Sequence, residues 1–105
     1  EHIIDDDKAI KELYRILKKN GVLIIQVPLK SGKTYENFNL TSKKERLEAF
    51  GQEDHVRVYG QKSMEEKLSA FKFNVEIIDL SKNFSEFDKK FYGISEKEII
   101  FKCLK

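Results

Sequence analysis

Residues 22–27 restrict the possible folds of this chain more than any other feature. They read Val-Leu-Ile-Ile-Gln-Val, a nearly unbroken apolar run rich in β-branched residues, and Pro28 ends the run. β-Branched residues favour extended backbone, and proline cannot donate to the ladder of a central strand. A run without polar alternation is typical of a strand whose two faces are both covered by helices, as in a parallel sheet. The segment therefore predicts a central strand of an α/β fold.

A helix is predicted directly before this strand, over residues 5–20. The acidic run 5–7 offers N-cap side chains and favourable charge at the positive end of the helix dipole. Asn20 and Gly21 provide a left-handed stop. One apolar stripe follows the spacing i, i+3, i+4 and i+7: Ile10, Leu13, Tyr14 and Leu17.

The rest of the chain adds two helices and two strands. Ser42 and Glu45 form a capping box before a short helix that Gly51 closes, and a longer helix is predicted over 61–72, with Ser63 and Glu66 as one possible start. The predicted strands are 73–80 and 98–104, and the predicted loops are 29–41, 52–60 and 81–97. The order predicts an α/β fold with three strands, two main helices and a short one.

Composition narrows the class of protein. The chain has 105 residues, 40% hydrophobic and 36% charged, which is typical of one globular domain or a piece of one. The net charge of +2 comes without a basic block, so nucleic-acid binding is not indicated. No apolar run approaches the roughly 20 residues of a membrane span, and no signal-peptide layout opens the chain. The lone cysteine, Cys103, is expected in the core, and this usage favours the cytoplasm.

Residues 5–28 resemble a stretch of the class I S-adenosylmethionine-dependent methyltransferases. In that family a Glu-His pair at the end of the fourth strand leads into an acidic helix start, and the helix ends in the pattern E-hydrophobic-x-R-hydrophobic-L-K-P-G-G. Lys19 and Asn20 replace the Pro and the first Gly of that pattern, at positions that only shape a turn. The matching residues are Glu12, Leu13, Arg15, Ile16, Leu17, Lys18 and Gly21.

Two later segments extend the resemblance over essentially the whole chain. Residues 54–60, Asp-His-Val-Arg-Val-Tyr-Gly, resemble a segment that follows the fifth strand in such enzymes. The family's A-G-F turn reads Ala-Phe-Lys-Phe at 70–73, a departure at Lys72.

The resemblance implies the C-terminal half of a Rossmann-like methyltransferase sheet. It implies strands five, six and seven, with the last strand antiparallel and inserted between the other two. The cofactor S-adenosyl-L-methionine would be held by a glycine-rich turn, but no G-x-G-x-G occurs in the chain. We expect the N-terminal half of the domain, which would carry this turn, to precede Glu1. Residues 1–105 are therefore expected to be an inactive fragment with no cofactor-binding residue of their own. The methyl acceptor stays open, because fold does not determine substrate.

Five residues are candidates for the substrate side of such a domain. Ligands of open α/β sheets bind beyond the carboxyl ends of the strands, and loop 52–60 leaves that edge. His55 is the candidate general base, because imidazole titrates near neutrality. The candidate substrate-binding residues are Glu1, His2, Arg57 and Tyr59. The alternative is that His55 and Arg57 only tie the loop to the sheet.

A narrower resemblance concerns metal binding. Glu1, His2 and His55 resemble metal-binding positions of small-RNA 2′-O-methyltransferases, in which two Glu and two His bind a divalent ion. Carboxylate and imidazole ligands suit an ion that polarises an attacking hydroxyl. A Glu-His pair is weak evidence without the other ligands, so the primary assignment includes no metal.

An alternative to the enzyme is a small α/β interaction module without catalysis.

A further expectation concerns partners. If strand 22–27 lacks a neighbour on one side, its free backbone groups favour pairing with a second copy, which would form a homodimer.

Overall fold

The computed structural model describes residues 1–105. It is an α/β fold with four α-helices and two three-stranded sheets. The helices are α1 (Asp6–Ile16), α2 (Lys43–Phe50), α3 (Gln61–Ala70) and α4 (Glu86–Tyr92). The strands are β1 (Val22–Ile25), β2 (Leu29–Lys30), β3 (Tyr35–Glu36), β4 (Arg57–Gly60), β5 (Asn74–Asp79) and β6 (Ile99–Leu104), and a 3-10 turn covers Leu80–Lys82. No helix combines the length and the apolar composition that crossing a bilayer requires.

The main sheet has the order β1-β6-β5, and β6 is antiparallel to both neighbours. The last strand of the chain therefore lies between the two earlier ones, as expected. In the register, Leu23 and Val75 both face Cys103, and Ile25 and Ile77 both face Phe101. These rows place one apolar stripe on one face of the sheet.

The core lies on that face. α1 contributes Ile10 and α3 contributes Met64 and Leu68 to a cluster with Phe101 and Cys103 of β6.

The prediction that strand 22–27 is covered on both faces is wrong in this chain. Along β1, exposed residues alternate with half-buried ones, so only one face of the strand is covered. Val22 and Ile24 are exposed there.

Several predicted boundaries also differ. α1 ends at Ile16 rather than at residue 20, because the backbone of Asn20 and Gly21 already pairs with Lys105 beside β6. α3 begins at Gln61 with Gly60 as N-cap and no side-chain cap. The hydroxyl of Ser63 instead accepts a hydrogen bond from the backbone of Thr34 at 3.3 Å.

The second sheet was missed altogether. β2, β3 and β4 form it from residues predicted as loops, with order β2-β4-β3. The two outer strands have two residues each, too short for any period to be recognised in the sequence. Gly60 ends β4 at a close approach, because a Cβ there would lie 2.1 Å from the carbonyl oxygen of Gly32. α4 was also predicted as loop, and none of its residues is buried.

Candidate functional site

Two segments far apart in the chain meet beside the second sheet. Glu1 and His2 lie before α1, and His55 lies shortly before β4. The backbone N–H of Val56 donates a hydrogen bond to the carbonyl oxygen of Glu1 at 2.9 Å. This bond joins the two segments at the point where the candidate side chains project.

Three of the candidate residues converge there. Glu1, His2 and His55 each offer one ligand atom, and these atoms lie within 4.8 Å of one another. Oε1 of Glu1 is 3.6 Å from Nε2 of His2. The rings of His2 and His55 meet edge to face, with centroids 4.6 Å apart and planes at 87°.

His55 has an unusual environment for a polar side chain. It is 3% exposed, and its Nδ1 is buried without a hydrogen-bond partner. A buried polar atom without a partner costs about 1–3 kcal/mol in folding free energy, so folded proteins rarely keep one without a reason. Glu1 and His2 each place a ligand atom within 4.8 Å of a ring nitrogen of His55, so a cation bound among the three residues would give this buried ring a partner.

The donor set fits a divalent cation. One carboxylate and two imidazoles bind divalent first-row metal ions, and the orphaned nitrogen of His55 is an observation of this structure that such an ion would explain. The three residues that the narrower resemblance selected therefore fit the group it implies.

Arg57 lies deeper than a substrate-binding residue is expected to lie. It is 1% exposed, and each nitrogen of its guanidinium has an acceptor within the chain. Nε donates to Glu36 at 2.9 Å, Nη1 donates to the carbonyl of Ile3, and Nη2 donates to the carbonyl of Ile4 at 2.8 Å. Burial acts to lower the pKa of Arg57, but the hydrogen bond that Arg57 donates to Glu36 and nearby negative charge outweigh it and raise the pKa above its usual value. These contacts match the alternative role, in which Arg57 ties the loop to its surroundings.

Tyr59 is also directed inward. It is 3% exposed, and its hydroxyl donates to Oδ2 of Asp6 at 2.6 Å. Burial and this hydrogen bond raise the pKa of Tyr59 well above its usual value. Asp6 also accepts from Nζ of Lys67 at 2.8 Å. Burial opposes ionisation of Asp6, but the hydrogen bonds from Lys67 and Tyr59 lower its pKa overall.

Sequence reasoning did not select Asp6, Glu36 or Asp54, although each contacts a candidate residue. Of the three, Asp54 was the easiest to identify from the sequence, because it directly precedes His55. The contact of Glu36 depends on β3, whose two residues give no pattern.

A large groove lies elsewhere, between residues 29–33, the start of α3 and the end of β5. It is open, has a volume of about 1300 Å³, and includes Lys30, Lys33, Lys62, Lys82 and Lys97 in its walls. None of the five candidate residues lines it. The convergent cluster and the groove are therefore separate features.

Comparison with known proteins adds no relative. No protein-family model matches the chain, and comparison with curated proteins and with solved structures gives no significant match.

Proposed function

We propose that this chain is the C-terminal half of a class I S-adenosylmethionine-dependent methyltransferase domain, in which Glu1, His2 and His55 hold a divalent cation. The meeting of these three side chains within 4.8 Å is the observation that carries the proposal. The resemblance to small-RNA 2′-O-methyltransferases, which rests on the sequence alone, implies the same three residues as ligands. The unpartnered Nδ1 of His55 adds independent support.

The strand order supports the half-domain. β6 lies between β1 and β5 and is antiparallel to both, which is the arrangement that the resemblance implies for the last three strands. β1 pairs only with β6, so its other edge is free on the side where such a domain has its fourth strand.

In this proposal the residues of this chain bind the cation and hold it in place. Glu1, His2 and His55 act as ligands, and the ligand role of His55 replaces that of a general base. A divalent cation at this position supplies Lewis-acid chemistry that lowers the pKa of a bound hydroxyl. Methyl transfer from an activated sulfonium depends mainly on alignment, so the chain needs no further catalytic side chain.

The proposal also covers cofactor, acceptor and location. S-Adenosyl-L-methionine would be bound by a half of the domain that precedes Glu1. A ribose 2′-hydroxyl is the first acceptor to test, because it is the acceptor in the enzymes whose metal-binding positions Glu1, His2 and His55 resemble. The charge of this chain does not itself indicate nucleic-acid binding, so this choice rests on the resemblance alone. The thiol of Cys103 is free and buried, which supports a reducing compartment such as the cytoplasm.

Calorimetry on residues 1–105 tests the proposal. Titration with Mn²⁺ should show one site that His55→Ala removes and that Glu48→Ala, a change at an exposed acid on α2, leaves intact. S-Adenosylmethionine should not bind measurably. Micromolar binding of S-adenosylmethionine to this chain would contradict the half-domain, and absence of Mn²⁺ binding would contradict the cation site.

The full-length enzyme provides the functional test. His55→Ala should lower methyl transfer to an RNA ribose 2′-hydroxyl much more than it lowers the melting temperature. Near-normal activity with a lower melting temperature would assign His55 to structure alone.

An interaction module without catalysis is the second candidate function. The exposed aromatic side chains around α4 favour it, since large exposed apolar patches mark contact sites. Phe87, Phe91 and Tyr92 are 76%, 71% and 65% exposed. Loss of all Mn²⁺ binding together with a start codon directly before Glu1 would favour this candidate over the enzyme.

A further inference from the structure

The two ring nitrogens of His2 face two different carboxylates. Oδ2 of Asp54 lies 3.1 Å from Nδ1, and Oε1 of Glu1 lies 3.6 Å from Nε2. Asp54 belongs to the loop that also carries His55, so one short segment contacts His2 and supplies the third candidate ligand.

Tautomer choice matters for a ligand histidine. A neutral imidazole carries one proton, and only the nitrogen without the proton has a lone pair to donate to a cation. The carboxylate of Asp54 is within hydrogen-bond distance of Nδ1, whereas that of Glu1 is 3.6 Å from Nε2 and too far for a hydrogen bond. This difference favours the proton on Nδ1, which leaves the lone pair on Nε2. Histidines that bind metals commonly have a carboxylate on the other nitrogen for this reason.

Packing does not restrain His2 in the way it restrains His55. The side chain of His2 is 50% exposed, so burial does not determine which way the ring points. The side chain of Asp54 is 64% exposed and makes no other ion pair. The contact between them is therefore available to set the orientation of the ring, whereas His55 is held by burial at 3% exposure.

We infer that Asp54 is a positioning residue that keeps the proton of His2 on Nδ1 and directs Nε2 toward the cation site. The cation itself rests on the proposed function, but the tautomer of His2 is a property of the metal-free chain. Asp54 acts through His2 and contacts no cation.

The tautomer is measured first, without metal. Nitrogen-15 shifts of the His2 ring, recorded at a pH where the ring is neutral, should show Nδ1 protonated in the unaltered chain. Asp54→Ala should convert this to a mixture of the two tautomers. Glu53→Ala removes the neighbouring carboxylate, which pairs with Lys43 at 3.0 Å, and should leave the tautomer unchanged.

Mn²⁺ affinity is measured second, by calorimetry on the same variants. Asp54→Ala should weaken binding about tenfold or more, the usual effect of removing such an outer contact. Asp54→Asn keeps an acceptor for Nδ1–H without the charge and should fall between Asp54→Ala and the unaltered chain. Melting temperatures should agree among all variants, because the side chain of Asp54 is exposed.

The outcomes separate this inference from the proposed function. Equal tautomers in the unaltered chain and Asp54→Ala would overturn the role of Asp54, even if Mn²⁺ binds. A changed tautomer with no Mn²⁺ binding in any variant would uphold the orientation of His2 by Asp54 and overturn the cation site. A changed tautomer with equal Mn²⁺ affinity would overturn the importance of that orientation for binding.

Discussion

The imidazole of His2 lies edge to face against that of His55, with ring centroids 4.6 Å apart, although α1, the first three strands and α2 separate them in the chain. Two sets of contacts produce this meeting. The backbone of Val56 bonds to that of Glu1, and the guanidinium of Arg57 bonds to the carbonyls of Ile3 and Ile4. The candidate site therefore depends on how the start of the chain is attached to β4.

Replacing His55 with leucine should separate stability from metal binding. Leucine removes a buried polar atom without a partner, so the metal-free free energy of unfolding should stay constant or rise by about 1 kcal/mol. Mn²⁺ should raise the melting temperature of the unaltered chain and leave that of His55→Leu unchanged. Scanning calorimetry with and without Mn²⁺ measures both effects, and an equal rise in both chains would show that His55 is not a ligand.

Replacing Arg57 should be far more destabilising than replacing a surface lysine. Arg57→Met leaves the carbonyls of Ile3 and Ile4 without their donor and should cost about 3 kcal/mol or more. Lys43→Met breaks an ion pair whose lysine side chain is 80% exposed and should cost less than about 1 kcal/mol. Urea unfolding compares the two, and similar midpoints would show that the Arg57 contacts contribute little.

Lys72→Gly should stabilise the chain. Lys72 has a φ of 71°, a left-handed conformation that costs a residue with a Cβ about 1 kcal/mol relative to glycine. We expect a gain in unfolding free energy of less than about 1 kcal/mol, measured by urea unfolding, because the flexibility of glycine in the unfolded chain offsets part of the relief. Lys19→Gly is the matched control, because Lys19 has no positive φ and glycine there should only lower stability. A loss of stability in Lys72→Gly would contradict the strain.

Residues 1–105 should self-associate through the free edge of β1. β1 pairs with β6 on one side only, and Val22 and Ile24 are exposed beside the open edge. Sedimentation at micromolar concentration should show a dimer that Ile24→Lys weakens. Leu47→Lys, at an exposed leucine on α2, should leave it intact. A monomer in which the β1 amides exchange slowly would show that the chain covers this edge itself.

Cys103 should resist thiol reagents. It should also make the unfolding free energy of the chain depend on pH in the alkaline range. Burial raises the pKa of its thiol to about 11, from a usual value of 9.0. The folded state therefore disfavours the thiolate, and the unfolding free energy should fall as pH rises from about 9 to about 11 because the unfolded chain ionises first. Cys103→Ala should lack this part of the pH dependence. Equal slopes for the two chains would show that the thiol does not contribute.

The sequence by itself determined the elements whose pattern is local. Strands β5 and β6 fall within one residue of the predicted ends, because each is a bounded apolar run. α2 begins at its capping box, because the hydrogen bonds of the box involve only Ser42 and Glu45, which are close in the sequence. Gly51 ends the helix at a φ of 84°. The α/β class follows from the order of such elements.

Only the tertiary structure decided which residues meet. β2 and β3 have two residues each, which is too short to show the alternating hydrophobic pattern of a strand. Both pair with β4, which lies more than 20 residues later in the chain. β3 brings Glu36 to Nε of Arg57, a candidate substrate-binding residue, and the carbonyls of Ile3 and Ile4 accept from its other two guanidinium nitrogens. The same long-range packing buries His55 beside Glu1 and His2. Proximity of this kind depends on the path of the backbone between distant residues, which local sequence does not encode.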